Sequence, residues 1–365
     1  MNSIIKYPTL SKFAPVVIPT LNRYDHFKKC LESLECCIQA DETEVFVGLD
    51  YPPSEKYVEG WIAIDSYLKE KEKSNRFRNL YVIRREKNYG IKGQSSNVAC
   101  LINQVKTVAD RYILSEDDNV FSPNFLVYMN LCLEKYQNDL DVIAVTGYSF
   151  PVEWKSSNGA TVQKQSFNAS AWGWGWWFNK LDEVGQDIST GDIYNRASIV
   201  LKEKKYKKGL FVAFYEYVCA SIIPLSYLKK IQSGRLAVTD YCTRQYLFVY
   251  DKFVISPLIS KVRNIGLDGS GVYCQNNQAV VCDGRDSWHT DFANQEIDQS
   301  SSFEVAENNP DLLEENRRRL DMYEWRPMSQ HIIATLIAFG IRVFGLDFMR
   351  KFTSLVFKVW HRRVN

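Results

Sequence analysis

The chain has 365 residues, 45% of them hydrophobic, enough to bury the core of one large or two modest domains. A formal net charge of +2, with Lys and Arg spread evenly, argues against nucleic acid as the main partner. Nine cysteines, an odd number without CxxC spacing, point away from a disulfide framework or a zinc site and toward reduced, mostly buried thiols.

Pro15 to Pro19 (PVVIP) is a short β-branched run suited to a buried parallel strand. Thr20, Leu21, Asn22 and Arg23 make the turn after it, and Asp25 is placed to cap a helix whose Phe27, Leu31 and Leu34 recur at helical spacing. Glu44 to Leu49 (EVFVGL) is a second strand, ending at Asp50 and a Tyr51-Pro52-Pro53 turn. A helix with Val58, Trp61, Ile62, Ile64 and Leu68 on its apolar side follows. Leu80 to Ile83 is a third strand, and the polar KNYGIKGQSSN leads into a helix through Val98, Leu101, Ile102 and Val105. Tyr112, Ile113 and Leu114 form a fourth strand that ends in Glu116, Asp117 and Asp118, before Ser122 and Pro123 open a helix carrying Phe125, Leu126 and Tyr128. Four alternations of strand and helix in about 120 residues predict a doubly wound, mostly parallel α/β sheet.

In open sheets of this kind ligands bind beyond the carboxyl ends of the strands, where Thr20 to Arg23, Asp50, Asn88 to Asn97 and Glu116 to Asp118 converge. Burying adjacent carboxylates without a cation costs on the order of several kcal/mol each, so acids at the end of a central strand hold a metal, a cation or solvent. One or two hard oxygen ligands, with the other positions left to water and phosphate, is how Mg²⁺ or Mn²⁺ is held beside a nucleotide. A solvated turn is the other reading of an acidic triplet by itself. No Gly-x-Gly-x-x-Gly or Walker-type loop is present, which removes the Rossmann dehydrogenase and P-loop readings.

Val142 to Val145 (VIAV) is a fifth strand, after which Ser, Asn, Gly and Trp dominate residues 147 to 180. Within SAWGWGWWFNK, Trp172, Trp174 and Trp176 are open to two readings: core packing, or an acceptor platform in which Trp supplies a stacking wall and Gly lets the backbone approach a ligand. Residues 181 to 235 read as helical and polar, with an apolar passage from Phe211 to Leu228. Asp240 opens a further helix, and Ser260 to Cys274 is a glycine-bearing loop. From about Arg326 the composition changes: Ile332, Ile333, Leu336, Ile337, Phe344, Leu346, Phe348, Leu355, Val356 and Trp360 follow helical spacing, interrupted by Gly340 and Gly345. Arg342, Arg350, Lys351, Lys358, Arg362 and Arg363 punctuate this tail, with Asp347 its one acid, as in helices that lie in a membrane interface. A helix packed on the domain is the alternative. The first residues lack a signal-peptide apolar core and no run reaches the ~18 apolar residues of a membrane span, so the expected compartment is the cytoplasm.

VVIPTLNRYDHFKKCLESL, VFVGLD, REKNYGIKGQSSN, YILSEDDNVFSPNFLVYM and VIAVTGY, followed by SAWGWGWW, TDY and VRNIGLDGSG, resemble GT-A fold nucleotide-sugar-dependent glycosyltransferases. The likeness is to bacterial family 2-like enzymes and to the Golgi N-acetylglucosaminyltransferase that initiates complex N-glycans, and it covers roughly residues 13 to 275. It implies that the acidic triplet is a variant DxD motif whose last acid, Asp118, contacts a metal bridging the nucleotide diphosphate, with Mn²⁺ or Mg²⁺ as cofactor. Asp50 resembles the acid that hydrogen-bonds uracil, as opposed to a solvent-facing turn residue, and Arg23 matches the Arg of the first loop. Asp240 looks like the catalytic base, where a helix N-cap is the structural alternative. Two departures stand out: Tyr273 where relatives often carry His, and Thr239 and Tyr241 flanking the base where relatives often have Trp.

The expectation is therefore a GT-A domain with nucleotide-sugar-binding and acceptor-binding halves at residues 1–146 and 147–325, and a C-terminal amphipathic helical tail at 326–365. The expected reaction is metal-dependent, inverting transfer from a UDP-sugar to a glycan acceptor, lipid-linked in bacterial surface polysaccharide or lipopolysaccharide synthesis, at the cytoplasmic face of a membrane. Thr20, Asn22, Arg23, Asp50, Asn97, Glu116 and Asp117 are the candidates for holding the donor, with Glu116 and Asp117 orienting neighbours without touching the metal. An inactive nucleotide-sugar-binding subunit and a nucleotidyltransferase are the alternatives. The latter wants a basic, glycine-rich loop after the first strand, which Thr20-Leu21-Asn22-Arg23 does not provide.

Overall fold

Val16, Val17 and Ile18 are all fully buried, which a strand achieves only when both its faces are covered. They begin β1 (Val16–Thr20), an interior strand of an eight-stranded sheet in a computed structural model that describes residues 13–90, 95–166, 170–193, 196, 240–271, 295–323 and a helical subset of 332–355. The strands are β2 (Glu44–Leu49), β3 (Asn79–Arg84), β4 (Arg111–Leu114), β5 (Asn119–Phe121), β6 (Val142–Thr146), β7 (Val162–Gln165), β8 (Trp174–Trp177), β9 (Phe253–Pro257) and β10 (Val262–Asn264). The large sheet runs β3-β2-β1-β4-β8-β6-β9-β7, while β5 and β10 form a separate antiparallel pair. Pairing is parallel from β3 through β4 and again between β6 and β9, so the expected mostly parallel α/β sheet is present.

Alternate side chains feed two cores. Val16, Ile18, Val45, Val47 and Ile113 face one, with helices α1 (Tyr24–Glu35), α2 (Val58–Lys71) and α4 (Phe125–Lys135). Val17, Phe46 and Tyr112 face the other, with α3 (Asn97–Lys106), α5 (Phe178–Thr190), α6 (Asp240–Tyr250) and α7 (Leu313–Tyr323). The sheet is thus wound on both faces.

Three details differ from the periodicity. Asp25 does not cap α1: the helix starts at Tyr24 with Arg23 at its cap position and no side-chain cap, and Asp25 lies exposed in the first turn, where it complements the helix dipole. On α2, Val58 and Ile62 are 37% and 53% exposed, and the buried face is Ile64, Tyr67 and Leu68. The third is β8, which enters antiparallel between β4 and β6, pairing Gly175 with both Ile113 and Val145. A Cβ at Gly175 would stand 2.7 Å from Met129 Cε, so glycine is what lets α4 lie against this strand. Among the described residues Cys30, Cys36, Cys37, Cys100 and Cys132 are free thiols, with Cys30, Cys37 and Cys132 buried.

Candidate active site

The chain runs outward from β1 through β2 to β3, then crosses back to place β4 on the other side of β1, with Val16 opposite Ile113 and Val17 opposite Leu114. The carboxyl ends of β1 and β4 therefore meet at the point where strand order reverses, the place where open α/β sheets bind ligands. Five side chains converge there, those of Thr20, Arg23, Asp117, Asp118 and Asn264. Thr20 Oγ1 donates to Asp117 Oδ2 at 3.0 Å. Arg23 Nη2 donates to Asp117 Oδ1 and, at 2.7 Å, to Asp118 Oδ2. Asn264 Nδ2 donates to Asp118 Oδ1 at 2.6 Å.

Asp117 and Asp118 are 9% and 6% exposed, so the pair is nearly out of solvent. Burial pushes the Asp117 carboxyl above its ordinary range; Arg23 opposes this and the charge of Asp118 reinforces it. Burial by itself lowers the Arg23 pKa, and the charges of Asp117 and Asp118 more than reverse that, so the guanidinium is held firmly protonated. The cation that the buried acids need is, in this structure, Arg23. The solvated-turn alternative does not describe them. Glu116 is different: its side chain is exposed, and its carbonyl accepts from Ser115 Oγ at 2.8 Å.

Asn264 and Gly266 complete the site from a segment whose sequence does not single them out. The short β5–β10 pair sets Asn264 opposite Asn119, and the chain then folds over the acids: Ile265 N–H donates to the Asp118 carbonyl at 2.9 Å and Gly266 N–H to Asn264 Oδ1 at 2.9 Å. The signal was present as Asn264-Ile265-Gly266 within the glycine-bearing loop, but three-residue strands carry too little alternation to reveal the pairing.

Asp50 is neither solvent-facing nor free. It is 4% exposed, its Oδ1 accepts from Tyr51 N–H at 2.9 Å and Tyr89 N–H at 2.8 Å, and its Oδ2 accepts from Gly90 N–H at 2.9 Å and Asn88 Nδ2 at 3.3 Å. Four donors use the four lone-pair positions of a carboxylate, so Asp50 clasps the 88–90 loop to the end of β2, and a base N–H would have to replace one of them. Asn97, buried at the start of α3, donates to the Gly48 carbonyl at 2.7 Å and accepts from Arg85 Nε at 2.9 Å. Asn22 is partly buried, its carbonyl accepting from Tyr24 N–H at 3.1 Å.

Of the three tryptophans, Trp174 and Trp176 are 5% and 2% exposed in the second core. Burial on β8 makes them packing residues in this structure, without a face open to a sugar. Trp172 is partly buried, its ring edge-on to Tyr148 at 4.7 Å. Asp240 is the first residue of α6, but its side chain lies outside the described residues, as does Tyr273.

Among the described residues no group of three or more His, Cys, Asp or Glu is placed to hold a metal ion. The acid cluster nonetheless fits a hard divalent cation bound together with phosphate. Two buried carboxylates against one guanidinium leave one negative charge, and each Asp118 oxygen has a single donor, which leaves lone pairs for a cation.

No family model and no curated protein matches the chain. Solved structures with partial likeness include S. aureus TarS 1–349 with UDP-GlcNAc, at 21% identity over 40% of this chain and 36% of that one, TM-score 0.27. A UDP complex of the same protein matches at 18% identity over 48% and 49%, TM-score 0.32. The chain thus spans between about a third and a half of these TarS structures. The mannosyltransferase PcManGT from Pyrobaculum calidifontis, with GDP-Man and Mn²⁺, matches at 14% identity over 67% and 73%, TM-score 0.34. The geometry around Asp117 and Asp118 stands independently of these low-identity likenesses.

Proposed function

We propose that the chain is a nucleotide-sugar-dependent glycosyltransferase of the GT-A type, acting with inversion and preferring a UDP-sugar. The observation that carries this reading is the meeting of Thr20 and Arg23, from the end of β1, with Asp117 and Asp118, from the end of β4, where strand order reverses. Guanidinium and carboxylate at that point suit a diphosphate accompanied by a divalent cation.

Asp118 is the residue that would hold Mn²⁺ or Mg²⁺, and Asn264 fixes the carboxylate for it. The ion, when bound, neutralises charge on the departing nucleoside diphosphate. Thr20 orients Asp117, which holds Arg23 at the point where the phosphates would arrive, and Asp50 sets the 88–90 loop against the donor. Asp240, the first residue of α6, takes the proton of the acceptor hydroxyl as its oxygen bonds to the anomeric carbon and the bond to the diphosphate breaks on the opposite face. No covalent intermediate is required. Trp172 is the aromatic residue left to contact the acceptor, a lipid-linked glycan of a bacterial surface polysaccharide or lipopolysaccharide. The presentation of that acceptor at the cytoplasmic face of a membrane agrees with the tail, where Ile332, Leu336, Phe339 and Val343, then Phe344, Phe348, Phe352 and Leu355, are each 50–64% exposed at helical spacing. No described helix is long and apolar enough to cross a membrane.

The test is nucleotide release from a panel of UDP-, GDP- and dTDP-sugars with Mn²⁺ and with Mg²⁺. Release from one nucleotide class, abolished by Asp118→Ala, is expected. Binding without release would identify a catalytically inactive subunit, and pyrophosphate release from a nucleoside triphosphate and sugar phosphate a nucleotidyltransferase.

A further inference from the structure

Arg23 is a peculiar choice of residue to stand between two catalytic-site acids. A divalent ion on Asp118 and the guanidinium already there compete for the same carboxylate, and their like charges repel at that distance. We propose that Arg23 is a movable counter-ion: it pairs with Asp117 and Asp118 while no donor is bound, and it passes to the donor's diphosphate when a divalent cation takes its place on Asp118. This deepens the function proposed above and rests on it.

Three features of the site support such an exchange. Each acid has a neutral donor of its own, Thr20 Oγ1 on Asp117 and Asn264 Nδ2 on Asp118, so both carboxylates stay positioned when the guanidinium leaves. The Arg23 side chain is 17% exposed, against 12% for Asp117 and 8% for Asp118, so it lies on the solvent side of the acids, where a donor would arrive. Arg23 also sits in the link between β1 and α1 with non-helical φ −87° and ψ 75°, so its side chain can turn without disturbing a helix. A guanidinium suits phosphate oxygens as well as it suits carboxylates, so the exchange preserves its hydrogen bonds.

The experiment measures Mn²⁺ affinity of the full chain without nucleotide, and UDP affinity at saturating Mn²⁺, by calorimetry and Mn²⁺ electron paramagnetic resonance. Arg23→Ala should bind Mn²⁺ without nucleotide about tenfold tighter or more than the parent, because the competitor is gone, and UDP about tenfold more weakly. Since Arg23→Ala leaves two buried acids unbalanced and could impair folding, the same comparison is made between Asp117→Asn and Arg23→Ala with Asp117→Asn. The same tightening is expected in that pair. Parent and variants that bind Mn²⁺ equally, with UDP affinity unchanged, would overturn the counter-ion role while leaving the transferase reading in place. Absence of both Mn²⁺ and nucleotide binding in a folded parent would overturn both.

Discussion

Gly266 lies so close to Asp118 that a Cβ there would stand 1.9 Å from Oδ2 and 2.8 Å from Arg23 Nη1. The Asp118 side chain could give way only by leaving Arg23 and Asn264, which hold its two oxygens. Gly266→Ala is therefore expected to lower nucleotide release from the donor at least ~10-fold, with a stability loss of about 1–3 kcal/mol typical of overpacking. Donor turnover at the parental rate, measured beside a thermal melt, would show that the Asn264-Ile265-Gly266 segment can retreat freely.

Asp118→Ala leaves Arg23 paired with Asp117, so the fold should survive while metal-dependent donor turnover is lost. Excess chelator should reproduce the loss in the parent, and Mn²⁺ or Mg²⁺ should restore it. Full activity in chelator would rule out the metal role of Asp118.

Asp240→Asn keeps the size and capping ability of the first residue of α6 but cannot accept a proton. Donor binding should stay close to parental and transfer should fall ~10²-fold or more. An Asn variant that transfers sugar at nearly the parental rate would reduce Asp240 to a helix cap.

Lys261, 2% exposed, is ion-paired to Asp298, which also accepts from Asn124 Nδ2 at 2.9 Å. Burial raises the Asp298 pKa, but the donors Asn124, Lys261 and Ser300 outweigh it and hold the carboxyl well below its ordinary value. A carboxyl depressed in the folded state adds stability that is fully present above the unfolded value near ~4 and is lost as pH falls toward the folded one. Acid unfolding should thus steepen below pH ~4, and Asp298→Asn should remove part of that slope. Asp298→Ala strands a buried ammonium and is expected to cost about 3–5 kcal/mol in denaturant unfolding. A pH profile identical in parent and Asp298→Asn would count against the pair.

The tail should attach the chain to anionic membranes. Its exposed faces, Phe344, Phe348 and Phe352 with centroids 5.4 and 6.4 Å apart among them, sit in a segment carrying Arg342, Arg350, Lys351, Lys358, Arg362 and Arg363. Each basic residue near an anionic leaflet contributes ~1 kcal/mol, so attachment should weaken with salt and with loss of anionic lipid. Liposome co-sedimentation of the full chain against one ending at Tyr323 is the measurement. Equal sedimentation of the two would assign the exposed faces to a second copy or another protein.

The β1 to β4 alternation, the acids at the end of β4 and the helix that contains Asp240 were legible in the amino-acid sequence, because each is a local pattern: a β-branched run, a helical spacing, a change from apolar to acidic. Local pattern left open what the acids hold and which way the tryptophans face. The tertiary structure decided both. Arg23 reaches Asp117 across 94 residues of chain and Asn264 reaches Asp118 across 146, contacts set by which strand ends the crossovers bring together and by no period of the sequence. Trp174 and Trp176 are buried because β8 enters antiparallel between β4 and β6, a pairing that four-residue strands do not announce, since the partners that fill their hydrogen bonds are chosen only when the whole sheet closes.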